Sequence, residues 1–157
     1  MLYLHSVFVI MKHKGSISQA YLERDRRIIP DLVRQAKSIV SYPTDLNTIF
    51  KVAATLPVRM FYIADDPAID YVRCRRDGRQ KQFSNPYKQQ LYDALYNEVE
   101  KMLEQSKYRE MSLRDVVIIA MTNTAPCIGL APTGIRKIYT RLKATRRKSC
   151  IDSGLHL

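Results

Sequence analysis

The chain has 157 residues, 46% of them hydrophobic, with five Gly and seven Pro: enough apolar material for one core, and too little Gly and Pro for a low-complexity or collagen-like polymer. Its formal charge of +11 points to a polyanionic partner without saying which one. Three widely spaced cysteines (Cys74, Cys127, Cys150) and three histidines near the ends (His5, His13, His156) make neither a disulfide framework nor a close-spaced zinc site, and they favour a reducing, cytoplasmic setting.

Leu2 to Met11 is apolar, but ten residues fall short of the roughly 20 that a membrane-spanning helix needs. Its charges, Lys12 and Lys14, follow the apolar run instead of preceding it, unlike a secretory signal. Residues 1–15 therefore read as an extension or an edge strand, and Met11 is an alternative start to Met1. Ser16 to Val40 reads as helix, with Ser16 or Ser18 as its cap and the charged run Glu23-Arg-Asp-Arg-Arg27 inside it. Pro30 predicts a break or a kink there, because it lacks an N–H and its ring meets the preceding turn.

Sliding the sequence on itself without gaps brings apolar positions into register at an offset of 67 residues: Ile49 on Val116, Phe50 on Val117, Ala53 on Ala120, Thr55 on Thr122, Ile63 on Leu130 and Ala64 on Ala131. Each copy, about 44–76 and 111–143, reads as a helix, a loop with a short extended piece, and a second helix. The extended pieces are Arg59-Met-Phe-Tyr-Ile63 and Pro126-Cys-Ile-Gly-Leu130, which leaves open a small two-stranded pairing between them. Asp66 before Pro67 reads as the cap of the second helix in the first copy, with Pro132 and Thr133 in the like position of the second, and Gly78 reads as a helix C-cap. Between the copies, Asn85-Pro86 opens a bridging helix to about Gln105, with Leu91, Leu95, Val99 and Met102 on one stripe. The expected fold is mainly α: one helical domain over 16–148, of duplicated helix-loop-helix units around the bridging helix, followed by a tail over 149–157.

The segment Leu56-Pro-Val-Arg-Met-Phe-Tyr-Ile-Ala64 resembles an uncharacterised family of small basic bacterial proteins with a duplicated motif of proline, Arg-Phe-aromatic and a capped helix. Pro57, Phe61, Tyr62 and Ile63 match it over roughly 43–80 and 112–148. Arg59 stands one residue early, Ala64 replaces a capping Ser or Thr, and the second copy has Ile128 and Gly129 in place of aromatics. The resemblance implies the duplication and carries no established activity.

Charge is concentrated at the ends, with net +4 over 1–42, +2 over 43–81, −1 over 82–111 and +6 over 112–157. In the last helix Ile135, Ile138, Leu142 and Thr145 form a stripe, which leaves Arg136, Lys137, Arg141, Lys143, Arg147 and Lys148 on the remaining surface, free to meet phosphates or enter a groove. Arg73, Arg75, Arg76, Arg79 and Lys81 end the matching helix of the first copy and repeat that chemistry. The bland reading of both is a solvated basic helix end, which the helix dipole also favours.

Candidates for chemistry are weak. Asp65, Asp66 and Asp70 lack a recognisable nuclease pattern, Cys127 sits in an apolar loop without a nearby base, and Tyr139 between Arg136 and Arg141 has no histidine to assist it. The run from Ile128 to Ile138 loosely resembles a helix-hairpin-helix turn, but Ala131 stands where a second glycine is required, so an ordinary tight loop is the better reading. Phe61 and Tyr62 are adjacent, so on a strand at most one would be free to stack on bases. The expected function is non-enzymatic binding of nucleic acid, with DNA the first expectation and RNA left open, without metal, cofactor or membrane. The alternative is an adaptor for an acidic protein.

Overall fold

The computed structural model describes residues 18–40 and 45–152. Expectations for the N-terminal extension, the Met11 start, the Ser16 cap, the three histidines and the end of the tail fall outside them. Helices α1 (Gln19–Glu23), α2 (Ile29–Ile39), α3 (Leu46–Thr55), α4 (Asp65–Arg76), α5 (Pro86–Leu103), α6 (Ser106–Arg109), α7 (Leu113–Ala120) and α8 (Pro132–Asp152) make the chain mainly helical.

The α-helical run is interrupted just before Pro30, which lies in the first turn of α2. A π-helical turn, Arg24–Ile28, joins α1 to α2 directly upstream of it, and the wider turn accommodates the missing N–H and the ring that would press on the carbonyl four residues back. Ser18 occupies the N-cap position of α1 without a side-chain cap bond; its carbonyl accepts from Tyr21 and Leu22.

The start of α4 also corrects the sequence reading. The helix begins at Asp65 after Ala64, which has no capping side chain, so Asp66 lies in the first turn and Pro67 in the third helical position. That position has no intrahelical acceptor to lose, and two carboxylates at a helix N-terminus offset the missing cap electrostatically. The other end is as expected: Gly78 adopts φ +78°, its N–H donates to Arg75 at 3.1 Å, and Arg79 N–H donates to the Cys74 carbonyl at 2.8 Å. These are the two bonds of a Schellman stop. The bridging helix α5 starts at Pro86 under an Asn85 cap and buries Leu91, Leu95, Val99 and Met102.

Helix packing brings together the two halves of the chain. α3 packs against α2 and α8, while α7 packs against α5 and α4. Helix α5 touches both α4 and α7, and α2 touches both α3 and α8. The connecting loops carry much of the core: Val58, Phe61, Tyr62, Ile63, Ala125, Cys127 and Ile128 are all buried.

In place of a two-stranded pairing of 59–63 with 126–130, the loops meet at one antiparallel bridge, Val58 with Ala125. A ladder cannot propagate from it, because Phe61 N–H turns to the Met121 carbonyl at 2.9 Å and Ile63 N–H to the Phe61 carbonyl at 3.0 Å. No strand forms among the described residues.

Candidate nucleic-acid interface

α8 is positioned by its inner face. Ile135 is fully buried, and Ile138, Tyr139 and Leu142 are half-buried against the helices that flank it. Tyr139 is the most constrained of these. Its ring meets Phe50 edge-on at 5.8 Å, Lys37 donates to its hydroxyl at 3.3 Å, and the Lys143 ammonium lies 4.8 Å from the ring centre. Partial burial pushes the phenol's pKa up, but hydrogen bonds from Lys143 and Lys37 and their charges outweigh it, so the pKa lies below the ordinary tyrosine value.

Thr145, expected to extend the inner stripe, is instead exposed and donates to the Arg141 carbonyl at 3.0 Å. Length explains this. α8 has 21 residues and α3 has 10, about 30 Å against 15 Å at 1.5 Å per residue, so the partner ends where α8 continues. Every residue from Lys143 to Ser149 is exposed, and the helix extends to Asp152, beyond the expected end at Lys148.

The outer face begins with a shallow groove of about 560 Å³ lined by Thr133, Arg136, Lys137, Thr140, Arg141 and Ala144. Arg136 reaches the Asn47 side-chain oxygen at 3.3 Å. Lys137, Arg141, Arg147 and Lys148 are exposed, and no carboxylate among the described residues lies within ion-pair distance of them. Arg146, inside the same run, has the same exposure; the apolar stripe does not mark it, and the basic triplet Arg146-Arg147-Lys148 is its signal in sequence. Lys37, on α2, meets α8 at Tyr139, on its inner side, from 102 residues away, with no local signal in sequence.

The basic end of α4 is built differently. Arg75 pairs with Asp93 at 2.7 Å and covers the Tyr96 ring at 4.1 Å. Arg76 pairs with Glu100 at 3.0 Å, Arg79 with Asp77 at 3.3 Å, and Lys81 with Asp70. Arg73 is exposed, with no carboxylate within ion-pair distance among the described residues. Four of the five expected phosphate contacts in the first unit therefore face a carboxylate already. α4 and α8 also pack on different helices, so the packing does not join the two basic ends.

The remaining candidates are accounted for by packing. Phe61 and Tyr62 are both buried, at 2% and 1% exposure, and neither is a stacking platform. Tyr62 also accepts a 3.0 Å hydrogen bond from Arg59, which pairs with Glu23. Cys127 is buried, contacts the Tyr87 carbonyl at 3.6 Å, and has its thiol pKa raised by burial. Gly129 has φ +78°, and a Cβ there would stand 2.5 Å from Leu91 Cδ2, so its free face is filled by α5 and not open to a phosphate. Asp70 is paired with Lys81, and Asp66 lies 3.8 Å from Arg114.

No group of three metal-ligating side chains forms among the described residues, and none of their helices is long and apolar enough to cross a membrane. Comparison with protein-family models, curated proteins and solved structures gave no match for the chain.

Proposed function

We propose that this chain is a non-enzymatic, cytoplasmic DNA-binding protein built from a duplicated helical unit, with α8 as the element that meets the duplex. The observation that carries the reading is the state of the cations on α8. Lys137, Arg141, Arg146, Arg147 and Lys148 are exposed and unmatched by carboxylates among the described residues, on a helix whose inner face is fixed by Ile135 and Tyr139. Exposed lysines and arginines on a rigid helix release counterions when they meet phosphates. A helix of about 10–12 Å diameter fits the major groove of B-form DNA, about 12 Å wide, and not the narrow major groove of A-form RNA.

Features that recur at the 67-residue interval support the duplication. Asp45 caps Thr48 N–H and Ser112 caps Asp115 N–H. Thr55 donates to the Val52 carbonyl at 2.8 Å and Thr122 to that of Ile119 at 2.7 Å. Leu56 N–H donates to the Ala53 carbonyl and Asn123 N–H to that of Ala120. The wide spacing of Cys74, Cys127 and Cys150 accords with the cytoplasmic setting.

The test is fluorescence anisotropy with labelled duplex DNA and duplex RNA of one sequence, side by side. Tighter binding to DNA is expected. Equal or absent binding to both, with capture by an acidic protein such as a polyglutamate-rich peptide, would replace this reading with that of an adaptor.

A further inference from the structure

A second cleft, of about 620 Å³, lies among α4, α5, the start of α7 and the segment that leaves α4. We propose that it binds a nucleoside phosphate, independently of the interface on α8. Three observations converge on that chemistry.

The first is an aromatic floor held in place. Phe83 lies nearly parallel to Tyr71, with centres 5.7 Å apart and planes 24° apart, and against Tyr92 at 4.7 Å. Its backbone N–H donates to Gln89 Oε1 at 2.8 Å, and Gln89 Nε2 donates to the Tyr71 hydroxyl at 3.1 Å and to Asp93 at 3.0 Å. Tyr71 in turn donates to Asp93 at 2.5 Å. A ring fixed this way gives a base a platform without an ordering cost on binding. One face of Phe83 is taken by Tyr71. The Lys88 ammonium lies over the ring, 4.6 Å from its centre, on a flexible stem that can turn aside, and Tyr92 meets the ring at a tilt of 47°.

The second is a surplus of positive charge around that floor. Four cations line the cleft with two carboxylates. Lys81 pairs with Asp70, and Arg114 lies near Asp66, while Arg73 and Lys88 have no carboxylate within ion-pair distance among the described residues. An arginine and a lysine at the edge of a stacking ring suit a phosphate, the arginine by its forked donors and the lysine by its point charge. The third is the carboxylates themselves, which would repel a bare polyanion yet can accept from ribose hydroxyls or from a base amino group.

The cleft is also particular to the first half. Asp66, Ile69, Asp70 and Arg73 correspond, at 67 residues, to Thr133, Arg136, Lys137 and Thr140 of the α8 groove. The face is the same and the chemistry is not, since α4 carries acceptors and is overlaid by the segment holding Phe83.

The proposal is tested by calorimetric titration of the full chain with AMP, adenosine and inorganic phosphate separately. AMP is expected to bind at least tenfold more tightly than either fragment. Phe83→Leu is expected to weaken AMP and adenosine but not phosphate. Arg73→Gln and Lys88→Gln are expected to weaken AMP and phosphate but not adenosine. Phe83→Tyr, which keeps the ring, is expected to bind AMP as the parent does, and so is the α8 variant with Arg136, Lys137 and Arg141 all changed to Gln. Displacement of AMP by a 5′-phosphorylated oligothymidylate, and not by its 5′-hydroxyl form, would assign the nucleotide to a strand end; no displacement by either would assign it to the free pool. AMP binding no tighter than phosphate, or cleft variants that bind AMP as the parent does while keeping its thermal transition, would overturn the proposal.

Discussion

Val58 and Ala125 exchange both of their backbone hydrogen bonds, at 3.0 and 2.9 Å, and they stand 67 residues apart, the interval that separates the two helix caps and the two helix-ending threonines. On the proposed duplication, a pair that exchanges like bonds with its own counterpart is the place where a pseudo-two-fold axis between the two copies would pass.

That relation predicts equal costs at equivalent caps. Asp45→Ala and Ser112→Ala should each lower stability by about 1 kcal/mol, as read from urea denaturation midpoints. A large cost at one site and none at the other would show that the two units do not share their local energetics.

Gly78 and Gly129 share φ +78° but not their surroundings. Nothing lies within 4 Å of a Cβ at Gly78, whereas one at Gly129 would collide with Leu91. Gly78→Ala should cost about 1–2 kcal/mol for the left-handed backbone alone, and Gly129→Ala should cost about 1–3 kcal/mol more for overpacking. Pairing Gly129→Ala with Leu91→Ala should cost less than the sum of the two single changes. Strict additivity would mean that the contact is not the cause.

How far the sequence disclosed this fold depends on how local each signal was. Asn85-Pro86, the Leu91 to Met102 stripe and Gly78 act within one or two helical turns, and each stands where the pattern places it. The Asp66 cap failed because Asp65 and Asp66 both serve the first turn of α4, and propensity alone does not choose between adjacent aspartates. The partners of the basic residues were invisible: Arg75 meets Asp93 and Arg76 meets Glu100 from another helix, 18 and 24 residues on. The cleft had one faint mark, Phe83 as a lone aromatic within the polar run Lys81-Gln-Phe-Ser-Asn85, whose meaning depends on Tyr71 and Tyr92 arriving beside it.

The tyrosines should titrate in a definite order. Burial, then Asp93, raises the pKa of Tyr71, and burial, then Tyr21, raises that of Tyr92; Tyr139 lies below its ordinary value of 10.0 because of Lys143 and Lys37. A raised phenol contributes stability that is present below pH 10 and lost as pH rises through the folded pKa, whereas the lowered phenol contributes only above the unfolded value. Titration by absorbance at alkaline pH should show Tyr139 ionising before Tyr71 and Tyr92, with that early contribution absent in Tyr139→Phe. Tyr71 and Tyr92 should ionise above the ordinary tyrosine range, together with loss of the helical circular-dichroism signal. An early step that survives in Tyr139→Phe would contradict the lysine clamp around that ring.

The central claim is that the unmatched cations of α8 are the surface that meets DNA, and the most direct measurement is the salt dependence of duplex binding by the parent and by Arg136→Gln, Lys137→Gln and Arg141→Gln combined. Each phosphate contact contributes about 0.9 to the slope of log K against log salt, so the parent should lose affinity steeply and the triple variant should bind more weakly with a slope flatter by up to about 2.7. Stability should be nearly unchanged, because exposed charges contribute little to folding. The matching change at Arg75, Arg76 and Arg79, which already face carboxylates, should alter the slope much less. A triple α8 variant with the parent's affinity and slope, or a larger loss from the α4 end, would contradict the account.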